Sequence, residues 1–220
     1  MKKRKILFIT GSRSDFYIQK PIFDAVEKST FLSLLLIVTG SHLSKKFGFT
    51  INEILKEKYN IVAKINNLVV SDNPLARLKS ASRQLSKLAE VISRTKPDVM
   101  IAPFDREESI TIAIAGAYTN TPVVHLGAGD RTRFNIDGII RHSVTKLSSI
   151  FFCFTKESAK RVVRLGEEKW RVHTVGHTAA HRYKNTKSLS KSYLSKYLNL
   201  NIKNEPLIIF IQHPVSNWLK

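Results

Sequence analysis

An open α/β sheet, doubly wound with helices on both faces, is the fold this sequence predicts, on three observations. Short, near-continuous apolar runs recur along the chain, of the kind that fill strands buried on both faces of a parallel sheet. Segments with apolar residues three and four apart separate them, so strand and helix alternate with right-handed crossovers. Several runs end where polar or acidic residues begin, and in such sheets ligands sit beyond the carboxyl ends of the strands.

The first strand is Lys5-Ile6-Leu7-Phe8-Ile9-Thr10, which breaks at Gly11-Ser12-Arg13-Ser14-Asp15 before Ile18, Ile22, Phe23 and Val26 recur at helical spacing. A glycine turn there directs backbone N–H groups and a helix N-terminus toward an anion, with Arg13 as a second positive element. One glycine is weak evidence, and this is not the G-x-G-x-x-G of dinucleotide binders. A second strand, Leu32 to Val38, ends at Thr39-Gly40-Ser41-His42, where His42 is either a ligand contact or a hydrogen-bonded loop histidine. A structured loop through Phe47 to Thr50 leads to a helical Ile51 to Lys56, and Tyr59 to Ile65 forms a third strand. Leu78, Ala81, Leu85, Leu88 and Ile92 mark one face of an amphipathic helix that Pro97 stops; Arg77, Lys79, Arg83 and Lys87 fall largely off that stripe.

Val99 to Ala102 and Pro122 to Leu126 then flank a helical pattern as a β-α-β unit. Asp105, Asp130 and Asp137 follow its strands and, with His142, could converge on one pocket; spacing alone equally allows ordinary acids on a solvated rim. Ile150 to Phe154 is the next strand, Thr155 caps a helix that ends at Gly166, and Trp170 to Val175 is one more strand. The stretch from His177 to Ser192 is polar and basic, as a linker is, and a short helix follows through Tyr193 to Leu198. Pro206 to Ile211 reads as a final strand. The expected organisation is a first domain over 1–176, a linker with a short helix over 177–205, and the first strand of an incomplete second domain over 206–220.

At 220 residues and 43% hydrophobic, the chain can bury a substantial core. No run approaches the roughly 18 apolar residues of a membrane span, and the basic start lacks a small-residue cleavage site, so no membrane partner and a cytoplasmic location are expected. The single cysteine, Cys153, excludes an intrachain disulfide and a Cys-rich metal site, and it is read as buried. A formal charge of +19 is compatible with nucleic acid, an acidic membrane or a phosphorylated small molecule. Its lysines are dispersed and no RNA-binding signature accompanies them, which favours an anionic small ligand over nucleic acid.

A set of stretches in order along nearly the whole chain carries a family resemblance: ITGSRSDFYIQKPIFDAV, VTGSHLSKKFGFTINEI, KPDVMIAPFDREES, NTPVVHLGAGD, IDGIIRHSVTKLSSIFF, KRVVRLGE, VHTVGH and IQHPVS. Together they resemble the hydrolysing UDP-N-acetylglucosamine 2-epimerases of bacterial sialic-acid-type sugar synthesis. The resemblance implies two Rossmann-like domains of the glycosyltransferase-B type, of which this sequence supplies the first and the opening strand of the second. It also implies a UDP-sugar substrate, no metal or other cofactor, and dimers or tetramers. The implied reaction takes the proton from C2 and expels UDP from C1, and water then attacks the resulting glycal. Such chemistry needs a placed carboxylate base, positive neighbours for the departing UDP, and an acid.

By that resemblance Asp105 matches the Asp of a Gly-Asp-Arg turn, Asp137 the first acid of Asp-Glu-x-Ile-Arg-His, and His213 the His of a His-Pro turn. Arg13 matches the Arg of Gly-Thr-Arg and contacts phosphate or sugar; Arg106, Arg141 and His142 belong to the retained substrate-binding motifs. Three positions depart from the pattern. Phe104 replaces the glycine before Asp105, Gly127 stands where many members carry a catalytic Glu, and Gly138 replaces the second acid of Asp-Glu. Asp130, three places after Gly127, fits a variant pattern and is the candidate substitute carboxylate. The expected function is a hydrolysing 2-epimerase acting on a UDP-linked 2-acetamido sugar. The alternative is a catalytically silent relative that keeps the fold and at most weak nucleotide-sugar binding.

Overall fold

The computed structural model describes residues 2–71, 73–132, 135–202 and 207–212. Its centre is a seven-stranded parallel sheet of β1 (Arg4–Thr10), β2 (Leu32–Thr39), β3 (Ile61–Ile65), β4 (Val99–Pro103), β5 (Val123–Leu126), β6 (Ile150–Cys153) and β7 (Val172–Thr174). The spatial order is β3-β2-β1-β4-β5-β6-β7. The chain builds outward from β1 in one direction, then returns to add β4 on its other side, so the topological switch point lies between β1 and β4. That is the expected doubly wound, Rossmann-like topology.

Both faces of the sheet are covered, which is why its strands are apolar at nearly every position. On one face α3 (Pro74–Thr95), α4 (Glu107–Thr119) and α5 (Ile136–Leu147) bring Leu88, Val91, Ile112 and Val144 against Leu7, Ile9, Ile37 and Met100. On the other, α1 (Arg13–Glu27) and α2 (Ile51–Lys56) pack Phe16, Phe23, Ile51 and Ile54 against Ile6, Phe8, Leu36 and Ile101. A smaller cluster joins Val162 of α6 (Lys156–Arg164) to Phe151 and Cys153, and the thiol is buried as expected. Thr155 caps α6, accepting from Ser158 N at 3.1 Å.

The structure differs from the sequence reading in three places. Pairing of β3 with β2 begins at Ile61 opposite Leu36, so Tyr59 and Asn60 precede the strand. The polar stretch after His177 contains a helix, α7 (Thr178–Asn185), which docks on α1 with Thr178 Oγ1 donating to the Ile18 carbonyl at 2.5 Å. Only α8 (Lys191–Leu198) had been legible there. The apolar run at 207–212 forms no strand and is exposed, Ile208 and Phe210 at 84% each. A strand exists only where a neighbour takes its backbone hydrogen bonds, and no described residue supplies one. Among the described residues, no helix is long and apolar enough to cross a membrane.

Candidate active site

The carboxyl ends of β1, β2, β4 and β5 converge beside the switch point. Ser12 accepts from Asp15 N at 3.3 Å and starts α1. Beyond β4 the chain turns at Phe104, which has φ +63°, in the left-handed region that favours glycine. The turn is held from inside by His125, fully buried on β5, whose Nε2 lies 2.9 Å from the Phe104 carbonyl and whose Nδ1 lies 3.0 Å from Thr145 Oγ1. Burial pushes the His125 pKa down to about 3, so the imidazole is neutral and donates through Nε2 to that carbonyl. A buried histidine thus fixes the backbone that presents Asp105.

Arg141 gathers the next part. It projects from α5, is 8% exposed, and pairs with Asp105 through Nη2, while Nη1 lies 3.4 Å from Asp130 Oδ2 and donates to the Gly127 carbonyl at 3.1 Å. Asp130 also accepts from Ser158 Oγ at 2.5 Å, which anchors it to α6. Two of the three expected carboxylates therefore meet on one guanidinium. Asp137 does not join them. Its Oδ1 lies 3.5 Å from Arg77 of α3, its Oδ2 accepts from Asn135 Nδ2 at 3.2 Å, and Arg77 also pairs with Glu107 of α4.

Asp137, Arg77 and Glu107 line a cavity of about 460 Å³, together with Gly40, Ser41, Asn67, Arg106 and Glu108. Behind it runs a polar chain that ties three elements. Thr39 Oγ1 donates to Asn67 Oδ1 at 2.6 Å, Asn67 Nδ2 to Gln84 Oε1 at 2.8 Å, and Gln84 Nε2 to Thr111 Oγ1 at 2.6 Å. Thr111 in turn donates to the Glu107 carbonyl at 2.7 Å, fixing the first turn of α4. Burial opposes ionisation of Glu107, but the Arg77 hydrogen bond and charge hold its carboxyl below the usual range.

The remaining expected residues divide. Arg106 is half-exposed, with Nε 3.6 Å from Glu108 Oε2 and 4.0 Å from Glu107 Oε2. Arg13 is 65% exposed at the start of α1 and pairs with Glu53 at 3.3 Å. His142 is partly buried with Nδ1 lacking a hydrogen-bond partner; burial and then the cations of Arg141, Arg161 and Arg131 lower its pKa. His42, for which the sequence left a ligand contact or a hydrogen-bonded loop histidine open, is 1% exposed, with Nε2 3.0 Å from Thr10 Oγ1 and Nδ1 2.7 Å from Thr50 Oγ1. Both ring nitrogens are occupied and burial lowers its pKa to about 4, so it serves as an internal tie between β1 and the loop before α2. His213 lies outside the described residues.

Two of the three departures from the family pattern, the glycines at 127 and 138, have local steric reasons, whereas nothing in the structure explains Phe104 at its positive φ. A Cβ on Gly127, at φ +80°, would sit 3.1 Å from both Phe104 Cδ1 and Phe154 Cε2, so the Phe104 ring and a side chain at 127 compete for one space. A Cβ on Gly138 would meet the Thr132 carbonyl oxygen at 2.5 Å. Asp15, Glu107, Glu108 and Arg77 were not singled out by the sequence. Acids in a helix's first turn and a basic residue off an apolar stripe look the same whether they face water or a cavity.

Comparison with known proteins now adds a decisive observation: the profile of the UDP-N-acetylglucosamine 2-epimerase family matches residues 24–220. The chain belongs to that family. It is 35% identical over 216 residues, 98% of its length and 56% of the other protein, to the GDP/UDP-N,N'-diacetylbacillosamine 2-epimerase (hydrolyzing) of Campylobacter jejuni. It is 30% identical over 213 residues, 97% of its length and 55% of the other, to a UDP-N-acetylglucosamine 2-epimerase of Neisseria meningitidis. A crystal structure of a UDP-GlcNAc 2-epimerase from Neisseria meningitidis bound to UDP-GlcNAc shares the fold, with a TM-score of 0.71 at 18% identity over 89% of this chain and 52% of that one. The chain spans about half the length of the relatives it matches. Structural neighbours in the family are glycosyltransferase-B type epimerases, so the fold is the expected Rossmann-like half of that architecture.

Proposed function

We propose that this chain provides the first Rossmann-like domain, over 1–176, of a hydrolysing 2-epimerase acting on a UDP-linked 2-acetamido sugar, with 206–220 opening a second. The observation that carries the reading is the pairing of Asp105 and Asp130 on one buried arginine at the carboxyl edge of the sheet. Membership of the family supports it. Elimination breaks the C2–H bond, forms a double bond between C1 and C2, and releases UDP from C1; water then adds across that bond. A carboxylate beside C2 takes the proton. Asp105 suits this role, because its turn is held by His125 and its position by Arg141. Asp130 is the second carboxylate, Asp137 orients the sugar from the Arg77 side, and Arg13 and Arg106 offset the charge of the departing UDP.

A second reading, a catalytically silent relative, is favoured by one observation. The Phe104 ring crowds the space that a side chain at 127 would enter, where many members carry a Glu. The two are separated by incubating the chain, and a version extended through any downstream reading frame, with UDP-N-acetylglucosamine and with its diacetamido analogue. UDP release that Asp105→Asn abolishes without loss of folding supports the epimerase. Release by neither version, on either sugar, refutes it.

A further inference from the structure

Glu108 lines the cavity and faces Arg106 but has no role in the reaction proposed above, and two strand ends are shaped around its carboxyl. It lies in the first turn of α4, is 4% exposed, and borders the cavity between Ser41, Arg106 and Asp137. Two glycines from different strand ends make its space. A Cβ on Gly11, after β1, would fall 1.8 Å from Glu108 Oε1, and one on Gly40, after β2, would fall 3.0 Å from the same oxygen. The backbone on both sides of the carboxyl is thus bare, as is needed where a buried group must approach main chain closely.

The other carboxyl oxygen, Oε2, is buried and has no hydrogen-bond partner among the described residues. Arg106 Nε, at 3.6 Å, is too far to satisfy it. A buried polar atom left without a partner costs about 1–3 kcal/mol. A group so accommodated, on a residue that lines the cavity and with one buried oxygen left unpaired, is one that a ligand completes.

We propose that Glu108 is a further ligand-contacting residue of this cavity, its Oε2 donating a hydrogen bond to an acceptor oxygen of the bound sugar nucleotide. The direction of the bond follows from the surroundings. Asp15 on α1, Glu107 on the same helix and Asp137 on α5 already bring three carboxylates to the region, against Arg106 and Arg77. A fourth negative charge, buried, is disfavoured; burial first, and the neighbouring acids after it, push the Glu108 pKa up to about 7, with Arg106 opposing. The protonated carboxyl is a donor, so the atom it meets is an acceptor: a pyrophosphate oxygen or an amide carbonyl. The inference rests on the reading that the ligand is a UDP-linked sugar.

The test is calorimetric binding of UDP-N-acetylglucosamine to the chain between pH 5.5 and 8.5, where the pyrophosphate diester itself has no titration. Affinity is expected to weaken above about pH 7 toward tenfold per pH unit. Glu108→Gln, a donor with no proton to lose, is expected to flatten that profile, and Glu108→Ala to raise Kd about tenfold at pH 6 with its thermal melt still cooperative. Glu108→Ala binding like the parent, or Glu108→Gln keeping the parent's pH slope, overturns the assignment while leaving the sugar-nucleotide reading intact. If the parent chain binds no sugar nucleotide at any pH, that reading fails for this chain. The acid is then judged by carbon-13 NMR of the glutamate carboxyls. A carboxyl that titrates near pH 7 and vanishes in Glu108→Gln supports a proton-bearing Glu108, and titration of every glutamate in the ordinary range overturns it.

Discussion

Phe104 and Gly127 are expected to be energetically coupled, and a double-mutant cycle measures the coupling. Phe104 sits at φ +63°, in the left-handed region that costs a non-glycine residue about 1–2 kcal/mol. Phe104→Gly relieves that strain but gives up a largely buried ring, worth about 1–2 kcal/mol at about two-thirds of the value of complete burial. These effects offset, so this variant is expected within about 1 kcal/mol of the parent. Gly127→Ala places a side chain at φ +80°, for a similar backbone cost of about 1–2 kcal/mol. It also sets Cβ 3.1 Å from both Phe104 Cδ1 and Phe154 Cε2, and crowding of this kind adds about 1 kcal/mol. With Phe104 replaced by glycine, one of the two rings is gone. Gly127→Ala is then expected to cost about 0.5–1 kcal/mol less than in the parent. Urea unfolding of the four proteins gives the cycle directly. Equal costs in the two backgrounds, within about 0.3 kcal/mol, refute the view that the ring occupies the space a side chain at 127 needs.

Two other outcomes follow from the buried charges. Arg141→Ala leaves the Asp105 carboxylate partly buried without its cation, and a loss of about 3 kcal/mol in urea unfolding is expected; a loss under about 1 kcal/mol would show that Arg141 organises nothing. Stability should also depend on pH through Glu108 and His42 in opposite senses. The folded-state pKa of Glu108 is raised from 4.5 to about 7, so its contribution is fully present below about 4.5 and is lost as pH rises through 7, by about 3 kcal/mol at most. Glu108→Gln should therefore gain on the parent between pH 5 and pH 8, and a constant difference would contradict the shift. His42 is lowered from 6.5 to about 4, so its contribution is full above 6.5 and is lost as pH falls through 4. His42→Asn should flatten the acid limb of the same urea titration, and an unaltered limb would assign the acid loss to other groups.

The strands were legible because a sheet covered on both faces writes itself as uninterrupted apolar runs, and Leu32 to Val38 could hardly be anything else. At 207–212 the composition of a strand is present, but no partner strand is among the described residues. The helix Thr178–Asn185 was hidden for the converse reason: it has little apolar face of its own and is fixed through the Thr178 bond to Ile18, a contact 160 residues away in sequence. Within the site, Asp105 and Asp130 were identified from motif and position. Their shared arginine, and the separation of Asp137 onto Arg77, depend on how α3, α4 and α5 pack, which spacing does not encode. Glu108 was invisible because its meaning lies in the missing side chains of Gly11 and Gly40.

The docking of α7 on α1 has a mechanical consequence. The chain leaves β7 at one edge of the sheet, yet its next helix is fastened to the helix that follows β1 at the centre. Tension applied to the polypeptide beyond Asn185 would reach Ile18, one turn past Arg13, before it reached any strand. The glycine turn at the head of the sheet and the exit of the chain are thus links in series, and a tug on one is felt by the other.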